Sequence, residues 1–209
     1  MVRELTTATI VASVIWVSAV PSYQAKSPAA QFRTQEELAA GSVLVANEKL
    51  GDPNFTESVV LIVQYDSDDG TLGVIINRRS KIPLSRIFPD IKAATADPVF
   101  VGGPVGKAGA MALLRLPVKT DKTLHVTNDV YVTGSKELIE KSVAGRAESS
   151  KFRLYMGYAG WAPGQLEAEL QLGAWSVIKG SSRIVFDDDP DSLWSRLSRE
   201  SHLQIAALN

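Results

Sequence analysis

The chain has 209 residues, 45% of them hydrophobic, which is enough for one domain with a sizeable core. Its 22 Lys and Arg nearly balance its 23 Asp and Glu, so a net charge of −1 gives no overall field for binding nucleic acid or an anionic membrane. The absence of cysteine excludes disulfides, thiolate nucleophiles, iron–sulfur clusters and cysteine-based zinc sites, and two histidines are too few for a His-rich metal site.

Residues 1–25 differ in composition from the rest of the chain. Arg3 precedes an almost wholly apolar or small-residue stretch at 8–20. A membrane-spanning helix needs roughly 20 apolar residues, so the stretch is typical of a cleaved secretory signal, and no transmembrane span is expected in the mature chain. This predicts export to the periplasm or the medium, with a cytoplasmic protein as the alternative. Residues 26–40 are predicted to be a linker running into a short helix, 41–200 the folded domain and 201–209 a tail.

The first strands of the domain are predicted from apolar runs. Residues 58–65 form an unbroken run rich in β-branched side chains, which is typical of a central strand covered on both faces. Residues 72–77 follow after an acidic turn, so the two runs predict a hairpin. Another strand is predicted at 42–46, before a polar loop that Pro53 prevents from continuing the sheet.

Charged and glycine-rich loops follow several of these strands. The acidic turn at 66–69 lacks the spacing of a calcium loop, which favours a solvated turn. The basic segment 77–81 has no interleaved aromatics, so a solvated loop is favoured over a phosphate contact. The glycine-rich segment 98–107 departs from the P-loop pattern, because three residues and not four separate Gly102 from Gly106. Close backbone packing is therefore the predicted reason for these glycines.

The second half of the domain contains more short elements. Strands are predicted at 111–116, 124–127, 130–133 and 183–186. Ser135 is a suitable N-cap for a helix ending at Val143. A final helix is predicted to start at Pro190 after the capping residue Asp189, with an apolar stripe for docking. The stripe consists of Leu193, Trp194 and Leu197.

The segment 157–172, called the corner below, has the most distinctive composition. A strand at 152–158 is predicted to turn through glycines into a helix at 165–172, with Pro163 in the first helical position and Gly173 ending the helix. A strand at 174–178 follows. A turn alone requires neither aromatic rings nor an amide. The residues that the turn leaves unexplained are Tyr158, Trp161 and Gln165.

Catalytic patterns are weak in this sequence. A serine hydrolase is disfavoured, because no Gly-x-Ser-x-Gly elbow occurs and the two histidines, His125 and His202, are poorly placed. Glu167 and Glu169 diverge by about 200° on a helix, so they are not expected to act as a pair. One of the two can reach a cleft while the other is solvated.

Several motifs in the chain resemble those of the YqgE/AlgH family of bacterial proteins over roughly 41–199. The motifs are the segments 50–55, 58–61, 72–73 with Asn77 and Arg78, 102–105, and 157–167. The resemblance implies an α+β fold, a single domain with mixed, largely antiparallel sheets in a barrel-like arrangement and flanking helices. It implies a cytosolic location but no established activity. Members usually carry His at the position of Tyr65, Pro at Arg79 and His near Arg115, so chemistry that depends on those histidines is not expected here.

The first functional hypothesis is therefore a non-catalytic binding or regulatory module for an unknown protein or small-molecule ligand, with no cofactor, metal or catalytic residue assigned. An enzyme acting on a small substrate through Asp52, Arg78 or Glu167 is the second. A transcriptional regulator is the third, and direct DNA binding is disfavoured because the sequence has no helix-turn-helix or basic face. The predicted binding surface consists of Asp52, Phe55, Asn77, Arg78, Gly102, Gly103, Pro104, Tyr158, Trp161, Gln165 and Glu167.

Overall fold

A computed structural model of the protein describes residues 38–48 and 50–206, with side chains through residue 201. The predicted leader, most of the predicted linker and the side chain of His202 lie outside the described residues. Within the described part, ten strands form one strongly curled sheet with helices against it, which confirms the predicted α+β, barrel-like fold. Every helix among the described residues is too short or too polar to span a bilayer.

The strands and helices have the following bounds. The strands are β1 Ser42–Ala46, β2 Val59–Gln64, β3 Thr71–Ile75, β4 Arg79–Pro83, β5 Pro98–Val101, β6 Val105–Arg115, β7 Leu124–Thr127, β8 Val130–Thr133, β9 Phe152–Trp161 and β10 Trp175–Lys179. The helices are α1 Leu84–Ile87, α2 Lys136–Ala144, α3 Gln165–Gln171, α4 Ser182–Val185 and α5 Pro190–Ala206, and a 3-10 helix spans Pro53–Phe55.

Strand β9 connects the two parts of the sheet. The main order is β10-β1-β2-β3-β9-β6-β8-β7, and β4 and β5 form a side branch on β9. The last residues of β9 pair with β3, whereas its first part pairs with β6 and, in parallel, with β5. All other strand pairs are antiparallel. The C-terminal end of β9 leads directly into the corner helix α3.

Strand β2 is covered on both faces, as predicted. Val59, Leu61 and Val63 belong to one buried cluster, which also receives Leu193 and Leu197 of α5. Val60 and Ile62 point to a second cluster with Trp161, Leu166 and Trp175. Because alternate residues of a strand face opposite sides, a run that is apolar throughout has to be buried on both. The predicted apolar stripe of the final helix is likewise confirmed.

Glycines allow β5, β6 and β9 to approach closely where the sheet curls. Gly157 has φ +75°, and a Cβ there would lie 2.6 Å from the carbonyl oxygen of Gly103. A Cβ on Gly103 would lie 2.1 Å from the carbonyl carbon of Tyr158. Real Cβ atoms do not come this close to backbone, so the prediction that these glycines serve close packing is confirmed.

Two predicted elements are wrong. The basic segment 77–81 is not a solvated loop, because Arg79–Pro83 is strand β4, paired with β5. Its charges are those of an edge strand, where charged side chains are common. The predicted strand 183–186 is instead helix α4, Ser182–Val185, which Ser181 caps by accepting the N–H of Ile184. Apolar periodicity cannot separate helix from strand in so short a run.

The corner differs from its prediction in two details. Strand β9 continues to Trp161, three residues beyond the predicted end. Pro163 is not in the first helical position, because Gly164, with φ 74°, is the residue immediately before α3. Because Gly164, in this left-handed conformation, stands between Pro163 and the helix, α3 begins at Gln165.

Candidate ligand pocket beside Tyr65 and Glu167

In the predicted loop Asp52 to Phe55, the side chains of Asp52 and Phe55 make contacts that stabilise the loop. The Asp52 carboxylate accepts the N–H of Asn54 at 2.8 Å and thereby caps the 3-10 helix. The Phe55 ring is stacked on Trp161, with centroids 5.9 Å apart, and meets the edge of Trp175 at 5.5 Å. The loop is thus fastened to the corner by aromatic packing.

The strand end at Asn77 and Arg78 holds the same loop from the other side. Asn77 Oδ1 accepts the N–H of Val59 at 2.8 Å, and its Nδ2 donates to the carbonyl of Glu57 at 2.9 Å. Arg78 Nη1 donates to the carbonyl of Asn54 at 2.9 Å. Both side chains therefore stabilise backbone, and three of the predicted segments form one connected region.

The predicted residues Gly102, Gly103 and Pro104 lie beside the middle of β9. Gly102 accepts the N–H of Ile75 on its carbonyl at 2.8 Å and, like Gly103, is buried. Pro104 is partly exposed. Tyr158 is also partly exposed, and its ring lies against the position that a Cβ of Gly106 would occupy. This part of the predicted surface is shaped by backbone contact.

Glu169 organises the polar side chains of the corner. Its Oε2 accepts the indole N–H groups of Trp161 at 2.9 Å and Trp175 at 2.8 Å, and its Oε1 accepts Nε2 of Gln165 at 2.9 Å. The Oε1 of Gln165 in turn accepts the N–H of Ala162 at 3.1 Å. The network explains why the corner contains Trp161 and Gln165, which a turn by itself does not require.

Glu167 is in a different environment from Glu169. Only 8% of its surface is exposed, and its Oε1 accepts the hydroxyl of Tyr65 at 2.9 Å. Within the described residues this is the only hydrogen bond of its side chain. Glu167 lines a cavity of about 380 Å³ between α3 and the chain that follows β2. This corner cavity is lined by Tyr65, Ser67, Gly164, Glu167, Ala168 and Gln171.

The two glutamates diverge on the helix as predicted, with Glu167 at a cleft. The expectation that the other would be solvated is wrong, because Glu169 is partly buried under two indoles. The indole groups come from β9 and β10, so their approach to one carboxylate depends on the sheet and not on local sequence.

The corner cavity has a negative electrostatic environment. Among the described residues that line it, Glu167 is the only charged one. The pKa of Tyr65 is raised, first by burial and then by its hydrogen bond to Glu167, with smaller contributions from the charges of Glu167 and Asp66. The Tyr65 hydroxyl is therefore a neutral donor at physiological pH. It fixes one oxygen of Glu167 and leaves the other available.

The described residues form a second, larger cavity of about 660 Å³. Val63, Leu72, Met111 and Val132 supply its apolar wall, and the loop 119–124 closes one side. Its Lys122 is paired with Glu137 on α2. None of the residues predicted for the binding surface lines this cavity.

The three candidates for catalysis do not share a cavity. Asp52 and Arg78 are bound to loop backbone, and only Glu167 lines either of the two cavities. In the described part of the chain, no group of three or more His, Cys, Asp or Glu side chains could hold a metal ion. The corner cavity offers a carboxylate, a phenol, a hydroxyl and an amide, which are groups suited to hydrogen bonding and charge recognition.

Sequence reasoning missed Tyr65 and Glu169 as interacting residues. Tyr65 contacts Glu167 across 102 positions of the chain, so no local pattern joins them. A polar aromatic residue directly after a central buried strand was the available signal, because strand ends are where sites are built.

Comparisons with known proteins agree with one another. The AlgH-like family model matches residues 43–206. A UPF0301 protein of Thermobifida fusca is 34% identical over 175 residues, which cover 79% of this chain and 88% of that relative. A UPF0301 protein of Thiobacillus denitrificans is 35% identical over 153 residues, which cover 71% and 82%.

Two solved structures have the same architecture. The solution structure of the AlgH protein from Pseudomonas aeruginosa gives a TM-score of 0.66 at 27% identity, covering 81% of this chain and 90% of that one. The crystal structure of a protein from Corynebacterium diphtheriae gives 0.67 at 25% identity, covering 80% and 90%. The names of these four relatives specify no biochemical activity.

Proposed function

The chain belongs to the AlgH-like (YqgE/AlgH) family, and from this premise we propose that it is a non-catalytic binding module whose ligand occupies the corner cavity. The observation that carries the proposal is the carboxylate of Glu167, which is almost fully buried in a cavity wall and has one neutral hydrogen-bond donor. The ligand supplies the missing partner.

The energetics of buried charge support this role. Burying a carboxylate is costly unless hydrogen bonds or a counter-charge replace its hydration. Glu169, two positions along the same helix, has three donors and is satisfied by the fold. Glu167 has one side-chain donor among the described residues, and its other oxygen, Oε2, is accessible at the cavity surface, where a ligand can supply a second donor.

The contacts favour binding over catalysis. General acid–base chemistry works best with a pKa near the operating pH, and burial moves the pKa of Tyr65 away from neutrality. Ser67 is the hydroxyl of the lining, but among the described residues no hydrogen bond joins it to Glu167 or to an imidazole base. The cavity therefore has a recognition group without an activated nucleophile.

The other predicted surface residues have a supporting role in this proposal. Arg78 and Asn77 hold the loop that carries Phe55, and Phe55 packs on Trp161 at the end of β9. Trp161 is bound to Glu169 of α3. This series of contacts fixes the helix that presents Glu167, so changes at these positions are expected to act on ligand binding through stability.

A thermal-shift screen of chemically diverse small molecules tests the proposal with three proteins. The wild type is compared with Glu167→Gln, which removes the charge at constant shape, and with Glu200→Gln, the same change at an exposed position of α5. A ligand present at one hundred times its Kd stabilises the folded state by about 2.7 kcal/mol, or roughly 5–10 °C in a domain of this size.

The proposal requires compounds that raise the Tm of the wild type and Glu200→Gln but not that of Glu167→Gln. It is rejected if no compound shifts the wild type, or if every shift persists in Glu167→Gln. In the second case, loss of the shift in Met111→Ala would assign binding to the large cavity instead.

A further inference from the structure

We infer that the ligand of the corner cavity is an organic cation, bound through an alkylammonium or guanidinium group. The inference rests on the proposed function and specifies its ligand class. It is carried by one arrangement: a nearly buried carboxylate with a free oxygen, in a cavity whose described lining residues include no Lys or Arg.

The charged side chains of the described cavity lining and of the turn beside it are acidic. Asp66 precedes the lining residue Ser67, and its charge contributes to the raised pKa of Tyr65. Asp68 and Asp69 follow in the same turn, and their backbone N–H groups bond Asp66 Oδ1 at 2.8 and 3.0 Å. Among the described residues no Lys or Arg forms an ion pair with Glu167. A cation is therefore attracted and an anion repelled.

The donor and acceptor groups fit an ammonium or guanidinium head. Tyr65 holds Oε1 of Glu167, which leaves Oε2 to accept an N–H from the ligand. An ammonium has three N–H groups and a guanidinium five, and the exposed lining residues Ser67 and Gln171 can accept from those that Glu167 does not bind. The Tyr65 ring adds an aromatic surface, and cations within about 6 Å of such a ring are attracted to it.

Other ligand classes fit less well. A calcium ion takes six to eight oxygen ligands, whereas the lining has one carboxylate, and the described residues contain no metal-binding group of three. A neutral ligand without an N–H or O–H donor would displace water from Glu167 without replacing the lost hydration, and a neutral donor would leave its charge without a counter-charge. The volume of about 380 Å³ is in the range of small-molecule clefts and far exceeds that of a bare ion.

The cation can belong to a free amine or to a Lys side chain of a peptide. Isothermal titration calorimetry at pH 7 distinguishes the two sources. One probe is n-butylammonium. The other is a tripeptide with a central lysine, acetylated at its N-terminus and capped as the methylamide at its C-terminus, so that the lysine side chain keeps its free ammonium group. Butyrate and n-butanol have similar size with opposite or no charge. Saturable binding of the ammonium probes, at least tenfold tighter than butyrate and butanol, is the expected result. A tenfold preference for the peptide assigns the cation to a partner chain, and equal affinity assigns it to a free amine.

Two variants test the assignment of the site. Glu167→Gln is expected to weaken ammonium binding at least tenfold, while Glu200→Gln leaves it unchanged. Gln171→Lys places a competing ammonium on the exposed wall of the cavity and is expected to weaken binding tenfold without affecting folding. Leu172→Lys is its control, because Leu172 is 86% exposed and outside the lining.

The inference is overturned if no ammonium probe binds saturably, if butanol binds equally well, or if binding is the same in Glu167→Gln and Gln171→Lys. Failure of the ligand class is distinguishable from failure of the function. Neutral or anionic compounds from the thermal-shift screen that depend on Glu167 would preserve the binding module and reject the cation. Absence of any Glu167-dependent ligand would reject both.

Discussion

Replacing Glu169 with Ala removes the single carboxylate that binds two buried indoles. Trp161 is 5% exposed and Trp175 is 3% exposed, so water cannot readily replace the lost acceptor. Both N–H groups bond the same oxygen, Oε2, at 2.9 and 2.8 Å. The substitution therefore leaves two buried donors without a partner.

The expected loss follows from these two donors. An unsatisfied buried donor costs about 1–3 kcal/mol, so Glu169→Ala should lower the free energy of unfolding by about 2–6 kcal/mol. Glu169→Gln keeps one acceptor oxygen for the two indoles but loses the charge and the hydrogen bond from Gln165, so about 1–2 kcal/mol is expected. Glu167→Ala is the matched control on the same helix. It removes one bond to Tyr65 and relieves a buried charge, so a loss below about 1 kcal/mol is expected.

Urea unfolding followed by circular dichroism measures these free energies, and tryptophan fluorescence reports the indole environment directly. The expected order of the losses, from largest to smallest, is Glu169→Ala, Glu169→Gln, Glu167→Ala. It would be refuted if Glu167→Ala lost as much stability as Glu169→Ala, because Glu167 would then be a structural residue and Glu169 a dispensable one.

Three further substitutions test the fold. Gly157→Ala should lower the free energy of unfolding by more than about 2 kcal/mol, because a Cβ would meet a carbonyl oxygen at 2.6 Å in a left-handed conformation. Gly51→Ala is the control, because its Cβ would have nothing within 4 Å, and its free energy of unfolding should stay within about 1 kcal/mol of the wild-type value. Burial opposes ionisation of Asp129, but its hydrogen bond from Arg115 lowers the pKa below the ordinary value. The stabilisation that comes from this lowered pKa is complete above about pH 4 and is lost as the pH falls through the folded pKa. The urea midpoint of Asp129→Asn should therefore fall less than that of the wild type between pH 5 and 2. Parallel pH dependences of the two midpoints would contradict the assignment. Arg153 is 6% exposed, donates to three backbone carbonyls and lies against two phenylalanine rings. Arg153→Ala should therefore lower the free energy of unfolding by about 2–5 kcal/mol in thermal unfolding, and a loss below about 1 kcal/mol would count against this role.

Local patterns in the sequence were sufficient to predict much of the sheet. The apolar run at 58–65 predicted a strand buried on both faces, and β2 is that strand. Ser135 predicted the start of a helix, and its hydroxyl accepts the N–H of Leu138 at the start of α2. In both cases the signal in the sequence is local, an apolar run for β2 and a capping residue for α2, although the partners that bury β2 are distant in the chain.

Elements that depend on distant partners were not predictable in the same way. Arg79–Pro83 is a strand because β5 supplies its hydrogen bonds, and nothing in its charged sequence indicates that neighbour. Four residues at 183–186 fit helix and strand periodicity equally, and only the Ser181 cap decides between them. The tertiary partner, or a single capping bond, determined the outcome in each case.

The candidate site was only partly predictable for the same reason. The corner and Glu167 were identified from composition, but the cavity exists because Tyr65, 102 residues earlier, comes to the side of α3. The unexplained Trp161 and Gln165 bind Glu169 and thereby hold the helix in place. The sequence therefore indicated the region of the site, and the structure separates the residue that faces a ligand from those that support it.

The most direct test of the account is an NMR titration of the ¹⁵N-labelled protein with n-butylammonium. The account predicts saturable shifts concentrated at the backbone amides of Ser67, Ala168 and Gln171, which line the corner cavity, and their loss in Glu167→Gln. Shifts centred on Met111 and Leu124 of the large cavity, or shifts that persist in Glu167→Gln, would contradict it.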